Sequence, residues 1–490
     1  MAEILLRLVG VLIVYEIVRW RLQVVLRRRW QRSIGGFLKR HGVQLEHFRF
    51  IDRIWVRQTL LQDPELDAFA AEHATATGAS MGEVRSRIEE YLDEIVPYFN
   101  LFSYYKLGAS VARRATAFCY ELVFDSEGLS RSRAAIPPGA VTVYVANHRS
   151  NADYVVLSVG TLRQVALSYA VGEWALVWPL DVLFRSFGSY FVRRGEKDPL
   201  YHAVLERYLQ LVAGRGLTTA FFLEGGLSRD GALRAPKIGL LDYLIGMLRS
   251  DPDKQIVFVP VGINFDRVLE DRNLLATRSA PGLLEKARSL GMILLRAPIM
   301  VGALFARTAL RAHRKYGYAA ISVGDPVPLS TLTADPAALA RLGKDARRNE
   351  VARIADALLR KVADVIPATP VVLVARALEQ GALDLPGLRK AVRGQIAACR
   401  ATGRPLGFGI AYGSVRAARP NADGGDKESL DRDLIEAEEA EKTVDLALSL
   451  LRRRRLLAVE AGRVQLAADA PPILAYYARS IEAPQHFAAR

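Results

Sequence analysis

From about residue 111 onward, short apolar runs alternate with longer stretches whose apolar positions recur every three to four residues. The short runs predict strands at 141–146, 166–171, 218–223, 256–263 and 319–323, with helices between them. Strands separated by helices imply a sheet covered by helices, so the expected fold class is α/β, with a mixed, largely parallel sheet and helical N- and C-terminal regions. The expected division is 1–110 helical, 111–335 the α/β domain, and 336–490 mainly helical. Within the last region, Pro, Asn, Asp and Gly cluster at 417–432 and predict a mobile polar loop. Arg452 to Arg455 close a helix there, ahead of a hairpin turning at Ala461–Gly462. Pro260, inside Val-Phe-Val-Pro-Val, predicts an edge strand or a bulge, because proline cannot donate to a ladder.

The run Val141 to Ala146 breaks abruptly into Asn-His-Arg-Ser-Asn-Ala-Asp-Tyr. On a continuous helix His148 and Asp153, five positions apart, would point about 140° away from each other. A strand that bends over Asn147 to Asn151 and starts a helix near Asp153 instead lets the carboxylate face the imidazole. One ring nitrogen is then fixed as donor and the other is left to take a proton from a hydroxyl, which is half of a general-base site. Ser150 reads as a turn or cap residue rather than a nucleophile.

Three more polar interruptions follow apolar segments: Phe187-Gly-Ser-Tyr-Phe-Val-Arg-Arg194, Thr219-Ala-Phe-Phe-Leu-Glu-Gly-Gly-Leu-Ser-Arg229 and Ile256 to Ile263. Arginine forks suit phosphate oxygens, and paired glycines permit a tight turn whose amides can cradle an anion. Two other matches carry no chemistry. Gly78-Ala-Ser-Met-Gly82 has the hydrolase G-x-S-x-G spacing, but Ser80 with Glu83 reads as a capping box opening a helix that stops before Pro97. Gly407 to Gly413 has the wrong glycine spacing for a nucleotide loop.

Charge alters this picture at one end. Of 490 residues, 67 are Lys or Arg and 52 are Asp or Glu, a net charge of +15, and residues 1–60 carry +8 of it. Residues 4–18 are apolar but interrupted by Arg7 and Glu16, and six arginines follow between 19 and 32. The block is too short and too charged to span a bilayer, but it fits a helix lying on an anionic membrane surface. Charge that follows the apolar block, with no small-residue cleavage site, argues against a signal peptide. A second apolar stretch, 291–305, is broken by Arg296 and Pro298 and predicts a bent or buried helix. Two cysteines, Cys119 and Cys399, fit a reducing compartment, and neither C-x-x-C nor H-E-x-x-H is present to suggest a metal. Nucleic acid is not an expected partner, since the N-terminal arginines adjoin an apolar block and no nucleic-acid motif interleaves them.

Taken together, the four interruptions resemble the blocks of the HxxxxD glycerolipid acyltransferases, in the same order. His148 to Asp153 resembles the first block, Gly188 to Arg194 the G-x-F-[IV]-R-R block, Glu224 to Arg229 the F-x-E-G-x-R-S-R block, and Val259-Pro260-Val261 the fourth. Glu-Gly-Gly-x-Ser-Arg-x-Gly is most similar to the bacterial membrane-bound glycerol-3-phosphate 1-O-acyltransferases, whereas lysophosphatidate acyltransferases usually lack the doubled glycine. The likeness is specific from about 140 to 330, and Tyr476-Tyr-Ala-Arg-Ser resembles these enzymes' C-terminal end. It implies acyl transfer from acyl-CoA or acyl carrier protein to the sn-1 hydroxyl of glycerol 3-phosphate, without a further cofactor or metal. His148 and Asp153 would be catalytic. Gly188, Arg193, Arg194, Glu224, Gly225, Gly226, Ser228, Arg229 and Pro260 would hold substrate or organise the site. The implied location is the cytoplasmic face of the cell membrane, peripheral or monotopic. Leu227 departs from the pattern, standing where the family carries the first arginine of R-S-R, and leaves dihydroxyacetone phosphate or a lysophospholipid open as acceptor.

Overall fold

The computed structural model describes residues 53–97, 109–161, 167–172, 189–193, 195–276, 315–408 and 425–482, together with Arg21 and Phe184. Apart from Arg21, the basic apolar stretch at 4–32 lies outside the described residues, as does the apolar stretch at 291–305. The chain divides into two compact units, residues 1–111 with 171–204, and residues 112–170 with 205–490. The first unit is therefore built from two separate pieces of sequence.

In chain order the helices are α1 (Arg53–Leu61), α2 (Pro64–Thr77), α3 (Met81–Ile95), α4 (Ala109–Cys119), α5 (Ser126–Ala135), α6 (Asp153–Thr161), α7 (Pro199–Gly214), α8 (Gly239–Gly246), α9 (Asp271–Ala276), α10 (Pro336–Arg341), α11 (Lys344–Asp364), α12 (Pro370–Glu379), α13 (Leu385–Ala401), α14 (Gly425–Arg453) and α15 (Ala470–Ala478). The strands are β1 (Glu121–Phe124), β2 (Val141–Ala146), β3 (Ser168–Gly172), β4 (Tyr190–Val192), β5 (Thr219–Phe222), β6 (Ile256–Phe265), β7 (Tyr318–Val323), β8 (Val327–Pro328), β9 (Leu457–Glu460) and β10 (Arg463–Leu466). All five expected strands form. β1, β4 and β8, at two to four residues each, are too short to leave a periodic signal.

In the first unit, α1, α2 and α3 form a helical layer. Asp63 caps α2 by accepting the Glu65 and Leu66 amides, and α2 stops at Gly78, which adopts φ 70°. Ser80 opens α3 through a capping box with Glu83, so the Gly78–Gly82 spacing marks a helix start. Val84, Ile88, Leu92 and Ile95 form the buried stripe of α3.

In the second unit the strands follow the order β1-β7-β6-β2-β5-β3, with β8 also on β6. β2 pairs in parallel with both β5 and β6, β3 in parallel with β5, and β1 in parallel with β7; β6 runs antiparallel to β7 and β8. β6 is buried along its whole length, as its nearly continuous apolar sequence, interrupted only by Asn264, suits a strand covered on both faces. The C-terminal end of α11 lies against it so closely that a Cβ on Gly262 would run into the Val365 carbonyl.

Pro260 corrects one expectation. It lies in the interior of the sheet, opposite Val145 of β2, and not at an edge or bulge. On the other side of β6, β8 pairs at Val257 and Phe258 while β7 pairs from Val261 onward. Pro260 faces the gap between these two partners, where its carbonyl accepts the Gly324 amide at 2.9 Å and its missing N–H leaves no ladder partner wanting.

The C-terminal helices α12 to α15 pack together, with α12 buried along most of its length. β9 and β10 form the expected hairpin, turning at Ala461 and Gly462 with φ 50° and 78°. The polar stretch expected as a loop over 417–432 is helical from Gly425 onward, and 417–424 lie outside the described residues. Asp-Lys-Glu-Ser-Leu-Asp-Arg contains no Gly or Pro, and its acidic residues favour a helix N-terminus, which outweighs the turn residues before it.

Candidate active site

The turn after β2 begins by extending the ladder with a side chain. Asn147 is fully buried; its Nδ2 donates to the Ile263 carbonyl at 2.9 Å and its Oδ1 accepts the Ile263 amide at 2.8 Å, so it pairs with β6 as another residue's backbone would. The next residue, His148, thus emerges at a fixed point at the C-terminal end of the central strand, a usual place for sites in α/β sheets. The chain then turns back, and Asp153 is the first residue of α6.

Asp153 closes the turn. Its Oδ2 accepts His148 Nδ1 at 2.8 Å, the Arg149 amide at 2.7 Å and the Ser150 amide at 3.0 Å. Both side chains are buried, at 1% and 0% exposure. Since a carboxylate only accepts, His148 Nδ1 carries the hydrogen, and in the neutral form of the ring Nε2 then holds a lone pair. Nε2 is buried and has no hydrogen-bond partner among the described residues. Phe222 fixes the plane of the ring from below, stacked at 4.0 Å and 10°, and Tyr154 meets it edge-on at 5.5 Å. The arrangement presents one basic nitrogen in one direction and can remove a proton from a hydroxyl brought to it.

The loop after β5 is tied to this turn. Glu224 Oε1 accepts the His148 amide and Oε2 the Arg234 amide, both at 2.8 Å. Burial pushes its carboxyl up to about 7, although the two amides, Arg149 and Arg234 pull the other way. Glu224 therefore organises the site through backbone contacts. Gly225 adopts φ 61°, and a Cβ there would meet the Lys237 side chain. Gly226 is buried and Leu227 half-buried. Ser228 donates its amide to the His148 carbonyl at 3.1 Å and its hydroxyl to the Ala232 carbonyl at 2.7 Å, so it too shapes the loop. Arg229 follows immediately and is exposed.

Three neighbours had not been assigned from sequence. Arg149 is buried at 2% exposure, donates to the Gly231 carbonyl, and lies 4.8 Å over the Tyr476 ring; its Nε and Nη2 have no hydrogen-bond partner among the described residues. Glu270 accepts the Ser150 hydroxyl at 2.8 Å and the Asn151 amide at 3.2 Å. Ser150 also accepts the Ala152 amide at 3.1 Å, which makes it a turn residue, as expected. Tyr476 donates to the Arg149 carbonyl at 3.5 Å. Arg149 was visible beside the base and Tyr476 in the C-terminal likeness, but nothing near Glu270 in sequence marks it.

Pro260 lies within β6 and acts on that strand's pairing, as described above. Arg193 belongs to the first unit. Its guanidinium is gripped by Glu94 at 2.8 and 2.5 Å and by Glu196 at 3.1 Å, and lies 5.3 Å from the Tyr91 and Tyr201 rings. These contacts hold the arginine strongly protonated and occupy the fork expected to hold phosphate. Gly188 and Arg194 lie outside the described residues.

The Acyltransferase family model matches residues 130–264, the segment that carries the His148–Asp153 turn, the Glu224 loop and most of β6. The chain is 29% identical over 277 residues to a glycerol-3-phosphate acyltransferase of Histophilus somni, covering 55% of this chain and 32% of that protein. It is 32% identical over 214 residues to another from Aeromonas hydrophila, covering 43% and 26%. The matched part thus spans about a third or less of these relatives. Among solved structures, the 1-acyl-sn-glycerophosphate (LPA) acyltransferase PlsC from Thermotoga maritima overlaps 61% of this chain and 96% of its own, at 14% identity and a TM-score of 0.29. Residues 130–264 thus match the Acyltransferase family model, and the chain that carries them is similar to glycerol-3-phosphate acyltransferases over part of their length.

Proposed function

We propose that this chain transfers a fatty acyl group from a thioester of coenzyme A or acyl carrier protein to the sn-1 hydroxyl of glycerol 3-phosphate, giving lysophosphatidate. The observation that carries the reading is the buried Nε2 of His148, which has no partner among the described residues and can accept a proton while Nδ1 is held by Asp153. A thioester is already activated, so no acyl-enzyme is needed. As the hydroxyl oxygen attacks the thioester carbonyl its proton passes to Nε2, and on collapse the C–S bond breaks and the imidazolium protonates the departing thiolate. Orienting the hydroxyl at the base removes much of the entropic barrier.

The acceptor's phosphate needs cations. Arg229 is exposed on the loop whose preceding amide bonds the His148 carbonyl, and Nε and Nη2 of Arg149, next to His148 in the chain, have no partner among the described residues. Both suit this role better than Arg193, which two carboxylates already hold. Leu227 in place of a family arginine favours a second acceptor reading, with dihydroxyacetone phosphate or a lysophospholipid as substrate.

One experiment separates these. The purified chain is given a labelled long-chain acyl-CoA and, in parallel, glycerol 3-phosphate, dihydroxyacetone phosphate and lysophosphatidate, with products identified by mass spectrometry. Monoacylated glycerol phosphate should dominate. Another dominant product replaces the acceptor, and thiol release that ignores every acceptor marks a thioester hydrolase.

The basic, apolar N-terminal stretch supports a peripheral place on the cytoplasmic face of the membrane, held by anionic lipid heads. Among the described residues no helix is long and apolar enough to cross a membrane. The chain should float with anionic vesicles more strongly than it retards duplex DNA at the same salt; the reverse order would remove the membrane from this account.

A further inference from the structure

Glu270 takes no part in the reaction just described, yet it grips the segment between the base and its carboxylate. One oxygen accepts the Ser150 hydroxyl at 2.8 Å and the other the Asn151 amide at 3.2 Å. Ser150 and Asn151 lie on the path of the chain from His148 to Asp153, so any movement there changes how the two side chains meet. From the inner side the same turn is held by Asp153 Oδ2 through the Arg149 and Ser150 amides. The turn is clamped between two carboxylates, only one of which bonds the imidazole.

The outer clamp is itself anchored on both flanks, and by one hydroxyl. The Val268 amide donates to Tyr477 Oη at 3.0 Å, and Tyr477 donates to Asp271 Oδ2 at 2.6 Å. Arg454, at the end of α14, donates to the same Asp271 oxygen at 2.6 Å and to Tyr477 Oη at 3.1 Å. Asp271 and Tyr477 are both buried, and burial raises the phenol's pKa further, so it stays a donor. The Glu270 carbonyl accepts the Leu274 amide at 2.9 Å, which fixes its backbone at the start of α9. The carboxylate is therefore presented from a rigid point. Tyr476, the neighbour of Tyr477 on α15, supports the inner side of the turn through Arg149.

We propose that Glu270 is a positioning residue for proton transfer at His148, and that α14 and α15 hold it in place through Arg454, Asp271 and Tyr477. This rests on the acyl-transfer reading above. It assigns the C-terminal helices a purpose, which is to keep the base and its carboxylate in register.

The test is steady-state kinetics of Glu270→Ala, Glu270→Gln and Ser150→Ala in the full chain, with urea unfolding of each. Glu270→Ala should lower kcat about 10- to 100-fold, as small misplacements of reacting groups do, with both KM values within about twofold and the unfolding midpoint held. Glu270→Gln keeps an acceptor for Asn151 and a donor for Ser150, and should restore most of kcat. Ser150→Ala removes the other end of the strongest contact; it should reproduce the loss, and the double variant should lose little more. In a His148→Ala background, Glu270→Ala should have no further effect on the residual rate. Normal kcat in Glu270→Ala and Ser150→Ala, or losses that simply multiply with that of His148→Ala, would overturn the proposal. Should Glu270→Ala fail to fold, Ser150→Ala and Glu270→Gln decide it alone. His148→Ala with near-normal turnover would instead overturn the acyl-transfer mechanism, so the two failures are told apart.

Discussion

At the scale of the residue, the acids around the base do different work with the same functional group. Asp153 orients the imidazole directly, whereas the buried Glu224 accepts the backbone amides of His148 and Arg234. Its carboxyl, pushed up to about 7, binds a proton more tightly in the folded chain than in the unfolded one, where 4.5 is the ordinary value. The stability this contributes is fully present below about pH 4.5 and is lost as pH rises through about 7. Urea unfolding at a series of pH values should therefore show the wild type losing on the order of 3 kcal/mol relative to Glu224→Gln over that range. A flat or opposite difference would put the carboxylate in a more polar setting. The contact between His148 and Asp153 was legible in sequence because only five positions separate them and the bend between them is rich in turn formers. The pairing of Arg193 with Glu94 was not legible, since 99 positions separate them, although its other partner, Glu196, lies only three positions on.

At the scale of the element, the turn after β2 works because both of its ends are tied to the sheet or to a helix start. Asn147 continues the pairing with β6, and Asp153 begins α6. β6 in turn depends on close approach to α11. Gly262→Ala would drive a methyl into the Val365 carbonyl, and the variant should lose roughly 2–4 kcal/mol in denaturant unfolding while the folded fraction keeps its turnover. Loss smaller than about 0.5 kcal/mol would mean that the helix end yields freely. The alternation of apolar residues was enough to place β2, β5, β6 and β7 almost to the residue, since their burial on both faces admits few polar positions. It could not place Pro260, because a change of partner from β8 to β7 along the far side of β6 is decided by pairing between distant segments.

At the scale of the whole molecule, the four sequence blocks do not share one compact unit. The first, third and fourth lie in the unit containing residues 112–170 and 205–490, and the second in the unit that joins 1–111 to 171–204. Such interleaving leaves no trace in local composition, which is why a division by pattern alone runs straight along the chain. The C-terminal helices were likewise legible as helices but not as supports of the turn, because the contacts of Tyr476 and Tyr477 with Arg149 and Asp271 span 327 and 206 positions. What all of these supports converge on is His148 Nε2, which has no partner among the described residues, and the most direct measurement replaces it. Thiol release from acyl-CoA in the presence of the preferred acceptor, compared between the wild type and His148→Ala, should fall by at least about 100-fold while the urea midpoint stays close to that of the wild type. Near-normal turnover in the folded alanine variant would contradict the account.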